Sequence, residues 1–260
     1  MTALSASTRS CAPTSGDEPA PVTNSRDRVL GRVRQALGKT GADPAALAEA
    51  QAYLDAHARG PAPAFEDNRV LRFIKRAGDM ESTVARVGHR NEIPAAVASY
   101  LDALELAPAL VGQLSSQLSS QYPHRGVCWP EFADLDWAQA GLSVEARPTV
   151  GDDRLGITGA FCAIAETGTL VVVSGADTPT ATTLLPDTHI AIVSANRIVD
   201  TMEDAFALIR KELGNMPRAI NMISGPSRTG DIEHTIVLGA HGPFRVHILV
   251  VDAAPDSLSA

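Results

Sequence analysis

Apolar positions in this chain change period along its length. From Ser25 to Leu37, Val29, Leu30, Val33 and Leu37 recur on one helical face while Arg28, Arg32 and Arg34 spread over the others, which predicts an amphipathic helix. Asp43 before Pro44 pairs an N-cap residue with a favoured first helical residue. Leu47, Ala50 and Leu54 continue a face until Gly60-Pro61, so a second helix is expected, closed by a Pro-rich link over Pro61 to Phe65. Beyond that link the pattern tightens to strand-sized runs. Thr83 to Val87 reads as a strand, Asn91-Glu92-Ile93-Pro94 opens a helix to about Leu104, Ala109 to Val111 reads as a short buried strand, and Ser115 to Gln121 as a polar linker or helix start. Gly156 to Ala165 is expected as a small-residue turn or helix. Thr169 to Ser174, Ile190 to Ser194, Ala219 to Ser224 and Arg245 to Val251 read as strands, with Thr201 and Asp204 capping a helix to about Leu213.

The later strands are continuously apolar rather than alternating, so their sheet must be covered on both faces. With the βαβ rhythm this predicts a three-layer α/β/α domain with a mostly parallel sheet over residues 66–252, preceded by a helical segment over 25–65. Residues 1–24, rich in Ser, Thr, Ala and Pro, read as a disordered tail without a secretory signal, and 253–260 as a second tail. Ligands of such sheets sit at the strand carboxyl ends, where the loop around Ser227 is expected.

Composition narrows the class. A formal net charge of −8, without clustered Lys and Arg beyond the first helix, argues against a nucleic-acid partner. Cys11, Cys128 and Cys162 stand alone, which suits a reducing compartment and leaves no ligand set for an iron–sulfur cluster or zinc within this chain. The longest apolar runs are far short of a membrane span, and a cytoplasmic protein is expected.

Ile223 to Glu233 concentrates the candidate chemistry. An apolar segment breaks there into Ser224-Gly225-Pro226-Ser227-Arg228-Thr229-Gly230 and is expected to restart as a helix at Asp231. Gly225 lets backbone approach a ligand, Ser227 and Thr229 offer hydroxyls, and Arg228 a planar fork for a carboxylate or phosphate, with helix N–H groups adding positive potential. The competing reading is an ordinary strand-to-helix turn capped by Thr229 or Asp231. The glycine spacing Gly225 to Gly230 matches a P-loop, but Asp231-Ile232 stands where Lys and Ser or Thr are required. A nucleophile elbow lacks its last glycine, and no dinucleotide fingerprint occurs. Asp231, Glu233, His234, His241 and His247 lack metal-ligand spacing, so no metal is expected.

Two further elements carry chemistry. Glu166, in Ala165-Glu166-Thr167-Gly168-Thr169, stands at the mouth of a buried strand as a base, nucleophile or acceptor, or as a solvated turn carboxylate. His241, between Gly239-Ala240 and Gly242-Pro243, titrates near neutral pH or merely occupies a turn. Glu166 and His241 are the candidate catalytic residues. Thr167, Gly168, Ser224, Gly225, Ser227, Arg228, Thr229, Asp231, Glu233 and Gly242 form the candidate ligand-binding set for a small anionic metabolite.

Ala163 to Leu170, Leu185-Pro186-Asp187-Thr188-His189-Ile190, Gly225 to Glu233 and Gly239 to Pro243, taken in order, resemble the lactate-utilisation protein C family and its lactate-utilisation (LUD) domain. The departures are small, Gly230 where alanine and Ala240 where valine are more usual. The resemblance implies a fold similar to ribose-phosphate isomerase and CoA transferases. It also implies a role in oxidising L-lactate to pyruvate beside partner proteins that carry iron–sulfur clusters. In relatives of that fold a strand-end glutamate can be catalytic, which points to Glu166. Two other classes stay open: a self-sufficient isomerase or acyl-CoA enzyme that depends on Glu166, and an interaction module that docks partners through its N-terminal helices.

Overall fold

A computed structural model describes residues 24–38, 43–61, 64–65, 68–106, 124–230 and 236–252. The tails, the expected strand at Ala109 to Val111, the segment Ser115 to Gln121, and Asp231, Glu233 and His234 lie outside the described residues. The chain divides into two units at Gly60. The first contains α1 (Ser25–Ala36), whose N-cap Asn24 accepts from the Arg26 and Asp27 N–H groups, and α2 (Pro44–Ala56), capped by Asp43. Neither buries a residue, and Val29, Val33, Leu47 and Leu54 are exposed.

The second unit opens with α3 (Arg69–Asp79), a helix that sequence periodicity left unread and that Asn68 caps. The elements β1 (Thr83–Val87), α4 (Ile93–Leu106), β2 (Arg125–Cys128), β3 (Ser143–Ala146), β4 (Leu155–Gly159), β5 (Cys162–Ile164) and β6 (Thr169–Val173) follow. After them come α5 (Ala181–Leu184), β7 (Thr188–Ser194), β8 (Ile198–Val199), α6 (Met202–Leu213), β9 (Ile220–Ile223), β10 (Arg228–Gly230), β11 (Ile236–Leu238) and β12 (Arg245–Val251). α6 begins with the capping box formed by Thr201 and Asp204.

Six strands form a parallel sheet in the order β1-β12-β7-β4-β2-β3. Helices cover both faces, as the apolar strands require: Val97 and Leu101 of α4 pack on one, Phe73 and Ala77 of α3 on the other. A second sheet, β8-β5-β6-β9, shares the α3 face through Ala163 and Leu170. It packs its far side, Cys162, Ile164 and Val171, on Ala205 and Ile209 of α6.

Two expectations are corrected here. Gly156 to Ala165 is neither turn nor helix but parts of β4 and β5, because its small residues admit close neighbours: a Cβ on Gly156 would stand 2.8 Å from Pro186. Thr229 does not cap a helix, and the helix start expected at Asp231 lies outside the described residues. β10 and β11 pair antiparallel, with Thr229 opposite Val237, so cross-strand pairing sets the conformation of Arg228 to Gly230.

Candidate functional site

The sequence motifs converge at the amino edge of the parallel sheet, not at its carboxyl edge. Ser227 follows β9, a strand of the second sheet, and its N–H donates to the Pro243 carbonyl (2.9 Å) two residues before β12 begins. The Gly239 N–H donates to the Ser227 carbonyl (2.9 Å), and the His241 N–H to Ser227 Oγ (3.3 Å). A Cβ on Gly242 would lie 3.2 Å from that of Ser227, so the two loops press together. The Arg245 N–H reaches the Asp187 carbonyl (2.9 Å), which brings in the loop before β7, and the Asp187 carboxylate pairs with Arg154 (2.7 Å).

The β5–β6 turn joins the same cluster through hydroxyls. Thr167 Oγ1 lies 2.7 Å from Thr169 Oγ1, which lies 2.7 Å from Ser224 Oγ. Glu166 is half-buried and hangs from the other side of this turn, its N–H donating to the Asp200 carbonyl (3.1 Å). Asp200 in turn pairs with Arg72 of α3, whose guanidinium stacks 3.8 Å over Phe65. The structure therefore links Thr167, Gly168, Ser224, Gly225, Ser227, Arg228, His241 and Gly242 into one edge, with Glu166 adjoining and Thr229 inside the hairpin.

Packing against α3 requires two of the glycines. Gly168 (φ +68°) lets the turn pass over the Arg76–Ala77 backbone, and Gly225 (φ +82°) lies against the Met80 carbonyl, where any Cβ would overlap. Both face the carboxyl end of α3, which carries partial negative charge; among the described residues no helix begins at this loop to supply the expected positive field. Arg228 answers that field by pairing with Glu81, itself held at φ +65° just past α3. Both partners are well exposed, so solvent screens the pair and an arriving anion competes for the guanidinium.

Behind the loops lie further polar groups. His189 is fully buried, with Nε2 2.8 Å from Thr158 Oγ1 and Nδ1 unpartnered; burial alone pushes its pKa down to about 4. His247 stacks on Tyr100 at 3.9 Å, shares Nδ1 with Thr83 Oγ1 (2.8 Å), and burial likewise lowers it to about 4. Thr182 Oγ1 and Ser82 Oγ are also buried without partners. A cleft of about 320 Å³ opens elsewhere on this edge, beside Arg125, Arg147 and Arg154, and contains none of the motif residues; Arg147 there is taken up by Glu145 and Asp153. Among the described residues no group of three or more His, Cys, Asp or Glu side chains is arranged to hold a metal, and no helix is long and apolar enough to cross a membrane.

At the opposite, carboxyl edge stands Glu131, half-buried beyond β2 and pushed up to about 7 by burial, against the lowering effect of Arg90 and a hydrogen bond from Gly159. The run Val127-Cys128-Trp129-Pro130-Glu131-Phe132 carried one signal for it, an acid between aromatic residues just after an apolar strand.

Residues 70–251 match the model of the LUD domain family. A lactate utilization protein C from Bacillus subtilis is 37% identical over 143 residues, 54% of this chain and 57% of that protein. Its counterpart from Bacillus licheniformis is 34% identical over the same shares. The chain thus spans little more than half the length of these relatives. A crystal structure of a DUF162 family protein from Deinococcus radiodurans aligns with a TM-score of 0.48 at 24% identity, covering 73% of this chain and 99% of that one. With 182 consecutive residues, 70–251, under one family model and its motifs gathered at one edge of the fold, this chain belongs to the LUD domain family.

Proposed function

We propose that the chain is a component of a cytoplasmic L-lactate oxidation system, working beside iron–sulfur partner proteins and binding a small carboxylate at the amino-edge loops. The observation that carries this reading is the convergence of four separated motifs on one exposed edge, in a chain whose relatives are named for lactate utilization. In it, Arg228 exchanges Glu81 for the ligand carboxylate, a swap between two charge-assisted pairs that costs little where both partners are exposed. Thr167, Ser224 and Ser227 add hydroxyl contacts. His241 lies exposed on the adjoining loop, where a proton can be donated or accepted, and Glu166 orients the turn that carries Thr167.

The test is lactate-dependent dye reduction by a native complex captured with this chain as bait, set against the purified chain alone. Activity in the complex that disappears when this chain is stripped out is the expected result. An inactive capture without an iron-containing partner overturns the reading, and turnover by the purified chain replaces it with a self-sufficient enzyme.

A further inference from the structure

The carboxyl edge of the parallel sheet carries a group that the amino-edge site does not use. Open α/β sheets hold small molecules at this edge, where the strands end and their connections diverge. Glu131 stands there, in the middle of the turn Pro130–Phe132, and its carboxyl group fills the space over Gly159, where any Cβ would overlap Oε1. The Gly159 N–H is its hydrogen-bond donor. Arg90, in the turn after β1, is committed elsewhere: it donates to the Glu131 backbone carbonyl and grips both Asp134 carboxylate oxygens (2.6 and 2.7 Å). Glu92 accepts from the Gly88 N–H (3.1 Å), and Asp252 at the end of β12 pairs with Arg86 (2.6 Å). Cys128, at the end of β2, is a neutral thiol, held up to about 11 by burial and then by the charges of Glu131 and Asp134.

A second observation comes from β7. Ile190 and Ile192 of β7 face the core that holds Phe132 and Ile157, and strand alternation puts Ser194 on that same face at the carboxyl edge. Gly159 pairs with Ile192 in the neighbouring register, so Ser194 lies one pleat beyond the glycine that Glu131 covers. Ser194 is 3% exposed and its Oγ has no hydrogen-bond partner. A buried hydroxyl left unpaired marks a place where water or a ligand completes the structure.

We propose that Glu131 and Ser194 form a second small-molecule site, which holds the hydroxyl or keto oxygen of a small 2-hydroxy or 2-oxo acid while Glu131 exchanges a proton with solvent to match it. The choice of ligand class rests on the lactate reading above; the geometry of the site does not. As a carboxylate, Glu131 accepts from an alcohol O–H; as a carboxylic acid, it donates to a keto oxygen. Ser194 serves either ligand because its hydroxyl both donates and accepts. A keto acid therefore draws a proton from solvent onto Glu131 as it binds, and a hydroxy acid releases one, with no bond to carbon made or broken.

Calorimetric titration with pyruvate and with L-lactate at pH 7, each in two buffers of different ionisation enthalpy, counts these protons. Uptake with pyruvate and release with lactate are expected, both lost in Glu131→Gln, while Ser194→Ala weakens both ligands about tenfold. Unchanged proton counts in Glu131→Gln overturn the site, as does absence of binding by both acids. Should Glu131→Gln fail to fold, carbon-13 NMR of the Glu131 carboxyl in the unsubstituted chain decides: its pKa must rise with pyruvate, and a resonance indifferent to both acids refutes the proposal. A captured complex that needs this chain yet oxidises lactate at full rate with Glu131→Gln leaves the lactate reading standing and removes this site alone.

Discussion

Thr158 and His189 share one hydrogen bond, 2.8 Å between Oγ1 and Nε2, on neighbouring strands and out of reach of solvent. The histidine is held neutral, because burial makes its protonation costly, and His247 at the other side of the sheet is held in the same way. In the unfolded chain both histidines protonate near 6.5, whereas folded they resist until about 4. Between these values the unfolded state binds more protons, so stability is full above pH 6.5 and is lost as pH falls toward 4. Each histidine contributes on the order of 3 kcal/mol to that loss. Glu131 acts in the opposite sense: folded it holds its proton up to about 7, so its contribution is present at low pH and lost as pH rises through 7. Chemical denaturation from pH 7.5 to 4.5 is expected to show falling stability, and His189→Asn should flatten the slope even where it lowers the plateau.

Gly225 is a packing requirement. Gly225→Ala forces a side chain onto the Met80 carbonyl at a positive φ and is expected to cost at least about 3 kcal/mol. Among the described residues nothing lies within 4 Å of where a Cβ on Gly230 would stand, and Gly230→Ala should stay within about 0.5 kcal/mol of the parent. Equal effects in urea melts would show that the contact with α3 does not constrain the loop.

Arg228 and Glu81 separate stability from binding. Their pair is screened, so Glu81→Ala should change stability by less than about 1 kcal/mol. By releasing the guanidinium it should tighten binding of a carboxylate, whereas Arg228→Ala should weaken it by about 2 kcal/mol. Titration of the two variants with the same ligand decides, and matching affinities would take Arg228 out of the site.

Burial pushes the Cys128 thiol up to about 11 and the Cys162 thiol up to about 12, so both stay protonated in the folded protein. Iodoacetamide at pH 8 should leave these two cysteines unmodified in peptide maps of the native chain and alkylate both once it is unfolded in urea. Native labelling of either would mean that its strand opens.

The amino-acid sequence alone determined the local elements of this protein. Capping residues and short-range periodicity act within a few residues of one another, which is why α1, α2, β1, α6 and β12 are legible in the chain with bounds close to those observed. It also marked the loops that gather at the candidate site. Only tertiary structure decided what those loops touch. The apolar face of α3, interrupted by Arg72 and Lys75, acquires its meaning from the sheet it covers, and its carboxyl end is what Gly168 and Gly225 are shaped to meet. The segment after Ser227 becomes a strand because β11 offers it hydrogen bonds, which no reading of that segment by itself contains. Glu131 acquires a raised pKa from burial, which outweighs a lowering hydrogen bond from Gly159, 28 residues further along the chain. Desolvation and cross-strand pairing depend on neighbours brought from afar, and they assigned these residues their roles.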